Sequence, residues 1–159
     1  MFRKMRHEAR KSISEEECKA ILKESKRGVL AVAGDEDYPY AFPINFYYDE
    51  SENKIYFHSA KAGHKIDSIN NNPKVCFTVF SEPEIRDLEW APYLSSVVVF
   101  GKAEIMTEPE IFIDKLRNFA MKYYPDAHEA EEEIRADINA VQIIAVSVEH
   151  MTGKTIQEK

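Results

Sequence analysis

The sequence lacks the cysteine content of several common protein classes. Among its 159 residues it has only two cysteines, Cys18 and Cys76, which lie far apart in unlike surroundings. This number and spacing indicate neither a disulfide framework nor a zinc knuckle. We therefore interpret both side chains as reduced thiols with a buried structural role.

Long apolar runs and an excess of basic side chains are also missing. No run approaches the ~20 apolar residues that a membrane-spanning helix needs. The basic N-terminus, with Arg3, Lys4 and Arg6, leads into no apolar signal segment, so we expect a cytoplasmic protein with no membrane partner. Acidic side chains outnumber basic ones by 28 to 21, giving a net charge of −7, and nucleic acid is therefore not an expected partner.

The short motifs of many catalytic sites are absent. There is no glycine-rich phosphate loop, no GxSxG turn, no HExxH sequence and no paired CxxC. His58 and His64 are six residues apart, which is not a standard spacing for metal ligands, and the acidic run 129–133 is typical of a solvated helical face. We expect no metal site.

The hydrophobic pattern predicts one domain, 1–159, that is mainly β with flanking helices. A capping box formed by Ser14 and Glu17 predicts a helix over about 15–25. Helical spacing predicts three more helices, over 62–71, from a cap at Thr107 to about 124, and over 127–137. Short apolar or aromatic runs between turn residues predict six strands, 29–33, 38–48, 54–59, 74–81, 95–106 and 140–148, followed by a polar tail, 149–159.

The strand pattern also predicts how the sheet is arranged. The first three strands read as an antiparallel meander, and Gly101 indicates a bulge in the long fifth strand. Pro39 and Pro43 cannot donate ladder hydrogen bonds, so part of the second strand should lie at an edge or a bulge. Six antiparallel strands in a domain of this size favour a small barrel, because closure removes exposed edges.

The most concentrated polar feature is the junction between the third strand and the following helix, His58-Ser59-Ala60-Lys61-Ala62-Gly63-His64-Lys65. Unpaired backbone N–H groups and the positive end of the helix dipole favour an anion at such a junction. Ser59 adds a hydroxyl, His64 an imidazole and Lys65 a cation, so the junction predicts a phosphate cradle. A Ser59 that only caps the helix, beside solvated lysines, would give the same pattern.

A second unusual segment is the aromatic strand 38–46, which two prolines interrupt. Free backbone groups beside Pro43, together with the Asn45 side chain, suit the polar edge of a flat heterocycle, and the aromatic rings suit its face. An ordinary edge strand would look similar.

These two segments resemble the FMN-binding split-barrel proteins related to pyridoxamine 5'-phosphate oxidase, and most closely the 5-nitroimidazole resistance (Nim) branch. Matching segments follow family order along nearly the whole chain: 1–6, 28–31, 38–43, 55–65, 72–75, 96–101 and 150–154. The resemblance implies a six-stranded antiparallel split β-barrel that forms a homodimer and binds FMN in two equivalent clefts at the subunit interface.

The resemblance also implies roles for individual residues. The FMN phosphate would be held by Ser59, Ala60, His64 and Lys65, and the isoalloxazine edge would be lined by Pro43, Ile44 and Asn45. His58 would lie beside the flavin and serve as the catalytic group nearest a substrate. The facing subunit would add Ser96, and the C-terminal tail, with Met151 and Lys154, would close the site. Ser95 departs from the family pattern, because many relatives carry Arg there.

The implied function is an FMN-dependent oxidoreductase. Electrons would come from reduced nicotinamide or another donor and pass to a small acceptor such as a nitroaromatic, which His58 would orient or protonate. Three alternatives share much of this pattern: a flavin-binding sensor or storage module without turnover, a pyridoxamine-phosphate-type oxidase, and a haem-binding barrel with a histidine on iron.

Overall fold

The structure is a computed structural model that describes residues 1–7, 11–124 and 126–159. The helices in these ranges are α1 (Glu15–Glu24), α2 (His64–Asn71), α3 (Pro109–Tyr123) and α4 (Ala127–Asp137). The strands are β1 (Arg27–Ala33), β2 (Pro39–Asn45), β3 (Tyr47–Asp49), β4 (Lys54–Ala60), β5 (Lys74–Phe80), β6 (Tyr93–Met106) and β7 (Val141–Gln157). None of the described helices has the length and apolar character to cross a lipid bilayer.

The strands form one antiparallel sheet in the order β2-β1-β5-β6-β7-β4-β3. The split-barrel class predicted from the sequence is confirmed. The described residues form seven strands, one more than the six predicted. The predicted strand 38–48 is divided at Phe46: β2 pairs with β1 at one edge of the sheet, and β3 pairs with β4 at the other. The change of ladder partner at Phe46 divides the predicted strand into two. The predicted three-strand meander is therefore wrong, because β2 and β4 are not neighbours in the sheet.

The prolines of β2 explain why this strand can occupy an edge. Pro39 and Pro43 lie within β2, whose ladder partner is β1, and the other side of β2 carries no strand in this sheet. The expected edge position is therefore confirmed. The predicted closure of the sheet is wrong, because the two edge strands β2 and β3 do not pair with each other.

The predicted polar tail is the second half of a long strand. β7 continues to Gln157 and pairs with β6 along its length, with a register shift between Phe100 and Gly101. Phe100 faces His150 and Gly101 faces Val148, so one residue of β7 is extra at this point. The bulge shifts the alternation of buried and exposed side chains along β7. For this reason the sequence pattern predicts a strand that ends at 148, well before the observed end at Gln157. The expected bulge at Gly101 is confirmed.

Two apolar clusters cover different parts of the sheet. The larger cluster lies on what we call the inner face, between the sheet and helices α1 and α2, and includes Leu30, Phe57, Phe77, Val99 and Ile144. The smaller cluster lies on the opposite, outer face and packs α3 and α4 against β4 and β7 through Tyr56, Phe112, Leu116, Ile134 and Ile143. The helices thus cover only part of the outer face.

No described helix covers the outer face of β1, β5 and β6, although Phe2 stacks on Phe100 at its margin, with ring centroids 5.4 Å apart. Side chains there alternate with buried inner ones and are half-buried or exposed: Val29, Ala31, Thr78, Phe80, Val98 and Phe100. Phe80 is 63% exposed although it is a large aromatic residue. We call this surface the open face.

The helix starts are only partly those that the sequence predicts. At α1 the capping box is confirmed, since Ser14 Oγ accepts from Glu17 N at 3.2 Å and Glu17 Oε2 accepts from Ser14 N at 2.7 Å. Thr107 is not the cap of α3: the helix begins at Pro109, and Glu108 occupies the cap position without a side-chain hydrogen bond. Proline at the first turn already fixes the helical φ angle there.

Gly28 allows β1 to approach the core closely. A Cβ at this position would lie 2.6 Å from Phe77 Cε2 and 2.8 Å from the Thr78 carbonyl oxygen. We expect Gly28→Ala to lower the free energy of unfolding by about 1–3 kcal/mol, because the buried Phe77 ring must move. Urea denaturation measures this, and Ala33→Ser at the exposed end of the same strand should change stability by less than about 0.5 kcal/mol. Equal stability of Gly28→Ala and wild type would contradict this packing.

Candidate functional site

The junction between β4 and α2 opens toward free space. Gly63 precedes the helix with a φ of +126°, a conformation that glycine adopts without strain. Apart from its neighbours in the chain, no atom of the described residues lies within 4 Å of the position a Cβ would take. The first amides of a helix have no partner within the helix itself. The structure therefore leaves the N-terminus of α2 accessible, and binding of an anion there stays a prediction.

The two basic residues of this turn lie along strand β2. The His64 ring stacks on Tyr40 with centroids 4.2 Å apart, and its Nε2 is 3.6 Å from Asp35 Oδ2. Lys65 Nζ lies 5.1 Å from the centre of the Phe42 ring. Among the described residues no carboxylate forms an ion pair with Lys65. Its charge is thus available at the edge strand.

Ser59 is placed differently from either prediction. Its side chain is buried, and its hydroxyl donates to the Ala60 carbonyl oxygen at 3.0 Å, which also accepts from Gln142 Nε2 at 3.2 Å. The cap of α2 is Gly63, so the alternative that Ser59 caps this helix is wrong. Ser59 would contact a phosphate only after its hydroxyl turns away from Ala60.

The ring-lining candidates are the last three residues of β2. Ile44 packs against the larger cluster, whereas Pro43 and Asn45 alternate with it on the other side of the strand. Within the part of the chain that the structure describes, no strand pairs with the edge of β2 that faces away from β1. Asn45 lies five positions after Tyr40, which in an extended strand is about 17 Å. His64 thus lies against the start of β2 and Lys65 against its middle, and the ring-lining segment forms its end.

His58 points away from Ser59, because neighbouring side chains of a strand alternate between faces. Its ring packs edge-on against Phe119 of α3, with centroids 4.9 Å apart. Partial removal of water by this packing, and secondarily the positive charge of Lys65, lower the pKa of His58, while Asp137 opposes the shift. The lowered pKa favours the neutral imidazole.

A small cavity of about 110 Å³ adjoins His58. It is lined by apolar side chains of α3 and α4 and by two carboxylates: Leu116, Phe119, Ile134, Glu133 and Asp137. The structure thus brings His58 to the same strand end as Ser59 but opens its side chain toward the helices, not toward the α2 cradle.

The remaining candidates lie elsewhere in the single chain. Ser96 and Lys154 are opposite each other in the β6–β7 ladder, and Lys154 is exposed. Strands β1 and β5 separate β6 from β2, so Ser96 is about 14 Å across the sheet from the ring-lining segment. Met151 packs against the larger cluster. None of these three residues joins the β2–α2 residues within one chain.

Sequence reasoning missed the contribution of α3 to this region. Tyr123 and Lys122, in its last turn, hydrogen-bond to the backbone of Phe46, the residue after Asn45. Burial, and secondarily the nearby charge of Lys26, lower the pKa of Lys122 to about 8. The helical pattern of α3 predicted its apolar face, but no local signal indicates that its end reaches Phe46.

An open antiparallel barrel with flanking helices and a basic strand–helix junction beside an edge strand is the architecture of the split-barrel proteins. Within that class, the chain belongs to the pyridoxamine 5'-phosphate oxidase family, whose sequence profile matches residues 14–155. This confirms the resemblance seen in the sequence motifs. No curated protein sequence matches the chain significantly.

Solved structures share the fold at low sequence identity. A candidate 5-nitroimidazole antibiotic resistance protein from Bacteroides thetaiotaomicron is 22% identical, with a TM-score of 0.76 over 92% of this chain and 87% of its own. An FAD-binding protein from Mesorhizobium loti is 24% identical, with a TM-score of 0.66 over 91% and 96%. A flavocytochrome from Azotobacter vinelandii is 20% identical, with a TM-score of 0.75 over 98% and 75%.

Proposed function

We propose that this protein is a cytoplasmic FMN-binding oxidoreductase, of the nitroaromatic-reductase kind, that acts as a homodimer with its site at the subunit interface. The observation that carries the proposal is the placement of the α2 N-terminus against edge strand β2. His64 lies over Tyr40 and Lys65 over Phe42, so the candidate anion site adjoins the same strand that carries the ring-lining residues. Family membership and the FAD-binding relative support a flavin as the ligand.

The residues present fit the phosphate of a mononucleotide. Gly63 leaves open space in front of the first amides of α2, and Lys65 supplies a cation that no described carboxylate neutralises. Two carboxylates lie near this turn: Asp35, whose side chain is 86% exposed, and Asp67 in the first turn of α2. A bound phosphate would meet the free amides of the helix end and the Lys65 ammonium.

The far end of β2 fits the ring system. Free backbone groups of an edge strand can donate to and accept from the polar edge of an isoalloxazine, and Pro43 and Asn45 lie on the side away from the core. Lys65 lies over Phe42 and the ring-lining segment follows on the same strand, which suits a ligand with a phosphate at one end and a flat ring at the other.

Bound FMN supplies the electron-transfer chemistry, and the chain supplies binding, orientation and electrostatics. Lys65 and the α2 amides hold the phosphate, and the end of β2 orients the ring edge. Helices α3 and α4 shield His58 from water on one side. The neutral imidazole of His58 orients a small acceptor. At lower pH its ring nitrogen is protonated, and the imidazolium can donate that proton to the acceptor.

The open face supports the proposed homodimer. It is apolar over several strands, and no described helix covers it, which is unusual for a surface that stays in water. Ser96 and Lys154 lie on the same side of the sheet as Val98, at the rim of the open face. A second copy docked there would bring these two residues to a site that the first copy leaves incomplete.

His58→Ala is expected to lower kcat for a nitroaromatic acceptor about 100-fold while FMN stays bound, because it removes the proton-transfer group but not the cradle. Because the pKa of His58 is lowered from its ordinary value, the imidazolium form gains population only as the pH becomes acidic, and wild-type kcat should rise as the pH falls. Steady-state kinetics against pH measure both effects. His128→Ala, at an exposed site on α4, is the control. Unchanged kcat in His58→Ala would remove His58 from the mechanism.

A flavin-binding module without dedicated turnover is the second candidate function. The observation that favours it is the orientation of His58, which faces a cavity of only about 110 Å³ on the opposite side of β4 from Ser59. Steady-state assays with reduced nicotinamide and nitro, quinone and azo acceptors discriminate the two functions. Turnover no faster than that of free FMN would favour the module.

A further inference from the structure

Phe46 is the point at which the chain crosses from one edge of the sheet to the other. The residue before it, Asn45, still pairs with Arg27 of β1, and the residue after it, Tyr47, already pairs with Tyr56 of β4. The Phe46 side chain is fully buried. Its backbone N–H and C=O belong to neither ladder, so they need partners from elsewhere.

The last turn of α3 provides these partners. Tyr123 Oη accepts from the Phe46 N–H at 2.9 Å and lies 2.8 Å from the Phe46 carbonyl oxygen. Lys122 Nζ donates to the same carbonyl oxygen at 3.0 Å and to the Ser25 carbonyl oxygen at 2.5 Å. Lys122 Nζ also lies 3.8 Å from the centre of the Phe46 ring. Two side chains of one helix therefore fix the residue that follows the ring-lining segment.

The same helix turn contacts the other side of the candidate site. Phe119 stacks on Tyr123 with centroids 5.1 Å apart, and it meets the His58 ring edge-on at 4.9 Å. The turn thus links the end of β2 to the end of β4, which no ladder hydrogen bonds connect.

We propose that Tyr123 and Lys122 are positioning residues for the flavin ring, because they fix Phe46 and with it the orientation of Pro43, Ile44 and Asn45. This inference rests on the proposed function. It assigns the ring end of the site to α3, whereas the phosphate end belongs to α2. The two ends are therefore separable: disturbing α3 should weaken any ligand that carries the ring, with or without a phosphate.

Tyr123→Phe tests this separation, with FMN and riboflavin as probes titrated against the full-length protein. We expect the variant to weaken both flavins by a similar factor, about fivefold to tenfold, and to shift the absorption band of the bound ring. A role in overall stability alone would lower the unfolding temperature without changing the affinities measured well below it. Tyr124→Phe is the matched control, since that hydroxyl takes no part in holding Phe46.

Lys122→Met is the second variant, and it tests the positioning role of α3 if Tyr123→Phe does not fold. Methionine keeps the apolar contact with the Phe46 ring and removes the donor to its carbonyl oxygen, so both flavins should again weaken together. Unchanged affinities in the folded variants, or a loss confined to FMN, would overturn the positioning role. If the wild-type protein binds neither flavin, the proposed function itself fails, and this result is distinct from the other two.

Discussion

Lys65→Ala is expected to weaken FMN binding about 30- to 100-fold and to leave riboflavin binding unchanged. The ammonium group of Lys65 lies beside the open N-terminus of α2, and among the described residues it has no competing carboxylate. Loss of a charged hydrogen bond to a phosphate removes on the order of 2–3 kcal/mol, whereas riboflavin has no phosphate to lose. Quenching of flavin fluorescence gives both dissociation constants.

Lys61→Ala is the matched control for this experiment, because Lys61 is an exposed lysine of the same junction. We expect it to change FMN affinity less than twofold, roughly the effect of one screened surface charge. If Lys65→Ala binds FMN as tightly as the wild type, the α2 turn does not hold the phosphate. If it loses riboflavin as well, the defect lies in the fold and not in a phosphate contact.

Val98→Asp is expected to convert the protein to a monomer that retains its fold and loses bound flavin. Val98 is half-buried near the middle of the open face, between Thr78 of β5 and Thr152 of β7. A second copy docked there would bury the new carboxylate without a partner, which costs several kcal/mol and raises the dimer dissociation constant by at least about 100-fold. Sedimentation equilibrium and flavin content measure the two consequences.

Ile111→Asp, at a 60% exposed site on α3, is the control for placing aspartate on the surface. It should leave both the assembly state and the flavin content as in the wild type. A Val98→Asp variant that remains a flavin-loaded dimer would show that the open face is not the interface. A wild-type monomer that binds flavin would show that the site is complete within one chain.

The parts of the fold that follow local rules could be predicted from the sequence. The capping box at Ser14, the edge position of β2 and the bulge at Gly101 each depend on residues that are neighbours in the chain or directly paired. The division of the strand at Phe46 could not be predicted this way. It depends on a change of ladder partner and on hydrogen bonds from Tyr123, which is 77 residues away in the sequence.

The candidate site shows the same difference between local and distant information. The β4–α2 junction combines chain neighbours, so its hydroxyl, imidazole and cation could be recognised in the sequence. The alternation of strand side chains places His58 and Ser59 on opposite faces, which composition alone does not reveal. The roles of Phe119, Lys122 and Tyr123 depend on how α3 packs across the two ends of the sheet.

Ser95, the position at which the sequence resemblance implies a departure from the family pattern, makes a side-chain contact within the sheet. Its hydroxyl lies 2.6 Å from Thr155 Oγ1 of β7. Its neighbour Ser96 points to the other face of the sheet. Ser95 is therefore engaged in the β6–β7 pair.

The identity of the cofactor is the most direct test of the whole account. The protein should be purified in its native assembly state, its visible absorption recorded, and the ligand released by denaturation identified by mass. We expect a yellow homodimer that releases FMN, in a ratio near one per chain. A colourless protein that does not take up added FMN or riboflavin would contradict the account.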